Sequence, residues 1–370
     1  HIVNALPEPV SVAIDGGSPV TVEAGAIQRV TIAEGDHEAE IAGSGGALGT
    51  VELGVSNGLF ERLKSGSVFI LNVGGAGVLI EEETVYSMQE DTAGPAAPRL
   101  HLGEEFIVLR GIEDVFKPAP RQLEVSHRDV VRRQAVSLYV GPPLTTGQLF
   151  GLGVEPERIF PYYEGQLQAR PNDADFHAQY MQTAIELNSV PRCVEFLEGR
   201  LDRRPVEVEW HRTYQNCASI LGRQDELKSL YGRLSEGDPG DPALLYLLAR
   251  QTAGTGEAIA LLDRSLQADP ANAYALTGKG ALLMGSGRYA EGLAALEEAA
   301  RLRLGDERTE VLLQDCYIAL GRFDDAEAHV RAQLQLEPLD LSLGASLIRV
   351  LCAAGNEEGA EEAYAELARE

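Results

Sequence analysis

Residues 270–304 read PANAYALTGKGALLMGSGRYAEGLAALEEAARLRL. Leu276, Leu283, Leu293, Leu296 and Leu302 recur at helical spacing, and Gly280, Gly292 and Ala299 leave little side chain where two helices would meet. The stretch opens on a proline, which cannot continue a preceding helix. Gly287 cuts it in the middle, and glycine takes the left-handed conformation of a helix end without steric cost. It therefore reads as two antiparallel helices joined by a glycine turn.

Outward from this stretch the same punctuation repeats. Pro171, Pro205 and Pro239 are evenly spaced, Pro270 follows slightly early, and Pro338 lies two full periods beyond it, with Leu304 in the remaining slot. Asn188, Gly222, Gly256, Gly287, Gly321 and Gly355 each fall half a period after a member of that series. Two series in constant phase predict six helix pairs, with Gly256 ending a first helix like its counterparts and a tightened turn after it. Leu313, Tyr317, Ala326, Val330 and Leu336 carry the apolar pattern into the next pair. The first two pairs copy one another: Phe176-His177, Tyr180 and Ala184 recur as Trp210-His211, Tyr214 and Ala218.

A period of about 34 residues, with Gly287-Arg288-Tyr289 and Gly321-Arg322-Phe323-Asp324-Asp325-Ala326, resembles the tetratricopeptide-repeat (TPR) family. The resemblance covers residues 172–370 and implies an α-helical solenoid of about six repeats, with a helix over 161–170 starting the stack. It also implies a curved inner face, lined by the first helix of each pair, that takes a peptide or protein partner. Carried onto this chain, the groove-lining slots are Arg212, Asn216, Tyr246, Arg250, Tyr274, Arg308, Asp315 and Arg349. Arginine binds carboxylate through a bidentate fork, so four arginines imply an acidic or C-terminal peptide segment. Plain exposure on helix surfaces is the competing reading. Arg212 and Asn216 also resemble part of the family's carboxylate clamp for chaperone tails, but Leu247, Tyr274 and Gly278 stand where three further clamp groups belong.

The first third is patterned differently. Short alternating runs between glycine-rich turns predict strands over Val10–Ile14, Val20–Glu23, Val30–Ile32, His37–Ile41, Val51–Val55, Val68–Val73, Val78–Ser87, Leu100–Leu102, Phe106–Leu109 and Gln122–Val125. Asp15-Gly16-Gly17 and Glu34-Gly35-Asp36 read as hairpin turns, and 57–64 as a short helix. The expected organisation is a β-rich domain over 1–140, antiparallel and sandwich-like, with a break near 90–98. A linker over 141–155 and a helical solenoid over 156–370 follow. Pro9–Gly16 and Glu34–His37 resemble the PEGA-type β-modules of bacterial surface proteins, over residues 1–42, which implies an extracytoplasmic place. The apparent strand at His1–Leu6 points the same way, to an upstream signal peptide, membrane anchor or tag.

Composition narrows function. A formal net charge of -26 repels phosphate backbones and anionic lipid, so neither nucleic acid nor a bare membrane surface is an expected partner. No run approaches the roughly 18 apolar residues of a membrane span. Cys193, Cys217, Cys316 and Cys352 fit no disulfide or zinc spacing and read as small helix-packing residues. No phosphate loop, HExxH or GxSxG occurs, so no catalytic residue, metal or cofactor is expected. Gly74-Gly75-Ala76-Gly77 reads as a tight turn, and Glu81-Glu82-Glu83 as a solvated strand end. His177 and His211 share a slot and read as core-edge histidines ahead of a metal pair. Lys117, Arg121, Arg128, Arg132 and Arg133 either dock an acidic partner or pair with the chain's own carboxylates. The leading expectation is a non-enzymatic interaction scaffold or adaptor. The alternatives are a structural subunit that self-associates into a lattice or filament, and a carbohydrate-binding surface protein with Phe60, Tyr86 and Phe116 as aromatic platforms.

Overall fold

A computed structural model describes residues 1–43, 46–57, 66–88, 93–125, 129–302, 307–336, 338 and 340–368, Glu307 through its backbone only. The short helix expected over 57–64 lies almost wholly outside these residues. The chain divides into two compact units, His1–Leu221 and Gly222–Glu370.

The first unit opens with twelve strands among the described residues: β1 (Ile2–Val3), β2 (Val10–Ile14), β3 (Val20–Val22), β4 (Ile27–Gln28), β5 (Gly35–Gly43), β6 (Gly46–Val55), β7 (Ser67–Asn72), β8 (Leu79–Ser87), β9 (Arg99–His101), β10 (Phe106–Arg110), β11 (Ile112–Val115) and β12 (Val130–Leu138). They form three four-stranded sheets, ordered β3-β2-β5-β6, β10-β7-β1-β4 and β11-β12-β8-β9. Alternation along the strands of the second sheet divides its side chains between two cores. Ile2 and Leu71 join Val10, Val12, Ile41 and Leu53 in one core. Val3, Ile70, Ile107 and Leu109 join Leu79, Ile112 and Val136 in the other.

Pairing is mostly antiparallel, but β1 runs parallel to β7 and β11 parallel to β12. Val30–Ile32 and Gln122–Val125, expected as strands, form none, whereas Ile112–Val115 and Val130–Leu138 do. Glu34-Gly35-Asp36, expected as a turn, leads into β5. Asp15 does turn the chain, with φ of 51°, and its carboxylate accepts from the Glu38 amide (2.9 Å) and lies 2.6 Å from His37 Nδ1. Asn72 closes the glycine-rich turn by exchanging two hydrogen bonds with Gly77. Gly75 is needed there because a Cβ would come 2.6 Å from the Gly103 carbonyl oxygen.

Helices follow from residue 146. Thr145 and Gln148 form a capping box on α1 (Thr146–Gly151), inside the stretch expected as a linker. α2 spans Pro156–Ala169, with Pro156 in its first turn, so it starts well before the helix expected from residue 161. Gln166 donates to the Ala76 carbonyl at 3.0 Å and Arg170 to that of Ala5, tying α2 to loops of the strand-rich region. The first unit continues with α3 (Ala174–Glu186), α4 (Val190–Glu198) and α5 (Val208–Ile220).

The second unit holds α6 (Gln224–Gly237), α7 (Pro242–Ala249), α8 (Thr255–Ala268), α9 (Ala273–Gly285), α10 (Tyr289–Leu302), α11 (Glu307–Ala319), α12 (Phe323–Leu336), α13 (Leu341–Ala353) and α14 (Glu357–Leu367). In the first unit α3 pairs with α4, and in the second α7 pairs with α8, α9 with α10, α11 with α12 and α13 with α14; α5 ends the first unit and α6 opens the second. Gly280 and Gly292 sit where α9 and α10 press together: a Cβ on Gly280 would lie 2.6 Å from Leu296 Cγ, and one on Gly292 3.1 Å from the Gly280 carbonyl. Asn188, Gly222, Gly287, Gly321 and Gly355 all take positive φ. Gly256 does not: it is the second residue of α8. The shortfall in that repeat comes instead from the first helix, since α7 has 8 residues where α5 and α9 have 13. Among the described residues no helix is long and apolar enough to cross a membrane.

His177 and His211 are buried beside the only tryptophan, with the His177 ring edge-on to Trp210 at 5.8 Å. Burial lowers the pKa of both rings, and that of His211, further depressed by Arg204, is pushed down to about 4. The unfolded chain takes up these protons near pH 6.5, before the folded one does. The stability tied to a neutral His211 is therefore complete above about pH 6.5 and is lost as pH falls toward 4.

These placements can be tested by unfolding. Neither Gly256 nor Gly287 has an atom within 4 Å of a built Cβ, so backbone conformation alone decides. Gly256→Ala should raise stability by about 0.5–1 kcal/mol in urea unfolding, and Gly287→Ala, at φ of +76°, should lower it by at least as much. Equal losses at both sites would return Gly256 to a turn. For His211, unfolding followed by Trp210 fluorescence should show stability falling between pH 6.5 and 4, at up to roughly 1.4 kcal/mol per pH unit, and His177 should add to the fall in the same direction. His211→Gln should flatten that slope; an unchanged slope would mean the ring is not held neutral.

Candidate protein-binding face of the repeats

The expected binding residues fall at the second, fifth and ninth positions of the first helices. In the first unit these are Arg212 and Asn216, the fifth and ninth residues of α5. Arg212 is committed locally, donating through Nη1 to both oxygens of Glu209, at 2.9 and 3.0 Å. Glu209 is buried, so Arg212 neutralises a carboxylate that water does not reach. Asn216 lies one turn further along the same helix, half-buried.

In the second unit, Tyr246 and Arg250 come from α7 and the residue after it, and Tyr274 from α9. The two tyrosine rings meet at 5.6 Å with an interplanar angle of 34°, and Arg250 Nη1 reaches the Tyr246 hydroxyl at 3.4 Å. Gly278 makes room for this pair, since a Cβ there would touch the Tyr246 ring at 3.5 Å. Asp315 of α11 and Arg349 of α13 occupy the same slot in successive repeats and pair with each other, while Arg349 Nη2 also donates to Gln314 at 2.8 Å. Arg308 is exposed near the start of α11. The structure therefore gathers Tyr246, Arg250 and Tyr274 into one cluster and Asp315 with Arg349 into another. Of the positions read against a carboxylate clamp, Leu247 is fully buried, and Gly278 backs the tyrosines.

Several polar groups on these helices are not foreseen by the sequence pattern. Thr309, Glu310 and Gln314 are buried on α11. Thr309 shares a hydroxyl hydrogen bond with Thr277 at 2.7 Å, and Glu310 lies 2.5 Å from His329 Nε2. Their signal is a set of polar residues on a helix face that should be apolar.

The remaining candidates resolve individually. Arg133 holds Asp114 through two bonds of 2.8 and 2.9 Å, and Arg132 pairs with Glu83 at 2.5 Å, so both serve the chain's own carboxylates. Lys117 and Arg121 are exposed or partly so; Arg128 lies outside the described residues. Glu81 faces Arg99 and His101. As aromatic platforms, Tyr86 is buried with its hydroxyl on the Pro120 carbonyl, and Phe116 is half-buried against His1. Phe60 is outside the described residues. A cavity of about 600 Å³ is lined by Ile2 of β1, Ile14 of β2, Leu53 of β6, Phe69 and Leu71 of β7 and Phe106 of β10.

Comparison with known proteins bears on the helical half. Residues 283–348 match the tetratricopeptide repeat family. No curated protein matches the chain. Among solved structures the chain is similar to MamA, at 17% identity and a TM-score of 0.37, over 41% of this chain and 91% of that one. It is also similar to a tetratricopeptide repeat protein from Parabacteroides merdae, at 14% identity and a TM-score of 0.38, over 53% and 79%. A thermophilic TPR protein of Thermus thermophilus shares 19% identity with a TM-score of 0.32, over 56% and 95%. By the matched residues and by the helix pairs around them, this chain carries a tetratricopeptide-repeat segment, a class of fold that in general serves to bind other proteins.

Proposed function

We propose that the protein is a non-enzymatic scaffold that binds a partner peptide through the first-helix faces of its repeats. The observation that carries this reading is the Tyr246–Tyr274–Arg250 cluster. Tyr274 is half-buried and backed by the buried Tyr246 ring, so it offers a rigid contact at little entropic cost, and the half-buried Arg250 guanidinium beside them adds a directional donor. Arg308 extends the basic character of this face, so a peptide carrying carboxylates suits it better than a neutral one. Arg212 plays a different part. Because it satisfies buried Glu209, its role is to hold α5, and a partner would have to compete with that bond.

The cavity lined by β1, β2, β6, β7 and β10 favours a second reading, in which the strand-rich region holds a small ligand such as a sugar. Silence of the full chain on a glycan array would dispose of that version.

The scaffold reading is tested with the full chain and a displayed library of acidic and neutral peptides. Acidic sequences should be enriched, and the triple variant Tyr274→Ala/Arg250→Ala/Arg308→Ala should bind them at least about tenfold more weakly, a loss of about 1.4 kcal/mol. Equal binding by variant and parent would refute the face. Arg212→Ala should instead lower stability, by about 3 kcal/mol, through the stranded Glu209 carboxylate.

A further inference from the structure

Cys193 of α4 and Cys217 of α5 face each other with their sulfurs 3.1 Å apart. Both side chains are fully buried, and neither is bonded to another sulfur. The separation exceeds a disulfide bond by roughly 1 Å. This is a junction between repeats: Cys193 is the fourth residue of a second helix, and Cys217 the tenth residue of the first helix that follows. In later repeats the second-helix slot holds Leu227 once and otherwise Ala258, Gly292, Ala326 and Ala360, all buried. Cysteine meets the usual demand of that slot for a small side chain, as alanine does elsewhere. What alanine cannot supply is a second sulfur already in contact across the junction, and this pair is the one place among the described residues where two cysteines meet.

We propose that Cys193 and Cys217 form a modification site: a dithiol that closes to an inter-helix disulfide when a small-molecule disulfide is the oxidant. One protein thiolate attacks a sulfur of the oxidant, displacing one small thiol and leaving a mixed disulfide. The second protein thiolate then attacks the protein-side sulfur and displaces the other small thiol. Two protein thiols and one small disulfide become one protein disulfide and two small thiols, each departing thiolate taking the proton shed by the attacking group. The Cys217 sulfur against it, together with burial, pushes the Cys193 thiol up, and the pair is closed to solvent, so exchange requires local opening of α4 from α5. The same burial then shields the product. Once closed, the bond fastens the second helix of one repeat to the first helix of the next, fixing the angle between them.

The test uses the full-length chain with Cys352→Ser, which removes the exposed thiol. The protein is equilibrated with oxidised and reduced glutathione, quenched in acid, alkylated in denaturant and digested with trypsin. Cleavage after Arg192, Arg200, Arg212 and Arg223 places Cys193 and Cys217 in separate peptides. The expected result is a cross-linked pair of these peptides that reduction separates, and an intact mass lower by two hydrogens. The oxidised protein should also melt roughly 5–10 °C higher for the first unit, with no such shift in Cys193→Ser/Cys217→Ser. Complete alkylation of both cysteines after equilibration, or glutathione retained on either without ring closure, would overturn the proposal. So would a cross-link that joins either residue to Cys316.

Discussion

A pair of antiparallel helices cannot bury its apolar stripe alone, and every feature of the helical half answers to that constraint. The start of each second helix lies a constant distance before the start of the next first helix: 190 to 208, 224 to 242, 255 to 273, 289 to 307 and 323 to 341. Within a pair the two starts are evenly spaced as well, as in 174 to 190, except that α7 and α8 begin closer together, at 242 and 255. Lost residues are thus tolerated inside a pair and not between pairs. The reason is where the core sits. Leu293, Leu296, Leu313, Tyr317, Val330, Leu347 and Val350 form one continuous cluster that crosses two pair boundaries, so a change of register between pairs would break it. Shortening α7 removes only the outer end of one helix.

That distinction also explains what can and cannot be read from the amino-acid sequence. Prolines mark boundaries between pairs, where spacing is held, and all six slots, Leu304 included, lie just under one turn before a first helix. Glycines mark turns within pairs, where spacing is free, so Gly256 keeps its arithmetic phase while losing its structural role. In the strand-rich part the legible elements are those with one polar face. β12 is hidden because Arg132 and Arg133 interrupt its alternation, and those arginines are there to grip Glu83 and Asp114 on the flanking strands. Val30–Ile32 alternates correctly and yet pairs with nothing among the described residues, because a strand needs a neighbour that the local pattern does not announce. The parallel contacts of β1 with β7 and β11 with β12 depend on the same non-local information.

At the candidate site, family slots identify which positions share the first-helix face but not which side chains are spent on the chain itself. With a net charge of -26, many of the described arginines have a carboxylate within reach, and on a helix the residue three or four positions away is often the nearest. Arg212 goes to Glu209 by this route, and Arg288, Arg301 and Arg322 go to Glu291, Glu298 and Asp325. Asp315 and Arg349 instead pair across one repeat period, so a slot read as two binding residues is in part a stitch between repeats. Counting arginines overstates the positive field. In the proposed reading recognition rests first on Tyr274, half-buried against the Tyr246 ring, which costs no desolvated charge.

The aromatic residues that recur between the first two pairs have a related origin. α2 begins one full period before α4, at 156 against 190, in the register of a second helix. Tyr180 donates to Glu164 of α2 at 3.2 Å, and one period later Tyr214 donates to Glu198 of α4 at 3.3 Å. Further on, Lys279 and Asp263 join a first helix to the second helix before it in the same way, as an ion pair at 2.6 Å. α2 is therefore built as a member of the stack, although the short α1 before it has only 6 residues. Gln166 and Arg170 tie it to the Ala76 and Ala5 carbonyls in loops of the strand-rich region, and a solenoid needs some such cover at its first repeat. Phe160, Tyr180, Phe196 and Trp210 then run ring to ring at 5.2–6.0 Å from this end into the second repeat. Phe176 meets Tyr162 of α2 at 6.4 Å, so both aromatic copies, Phe176 and Trp210, pack into this end of the helical part.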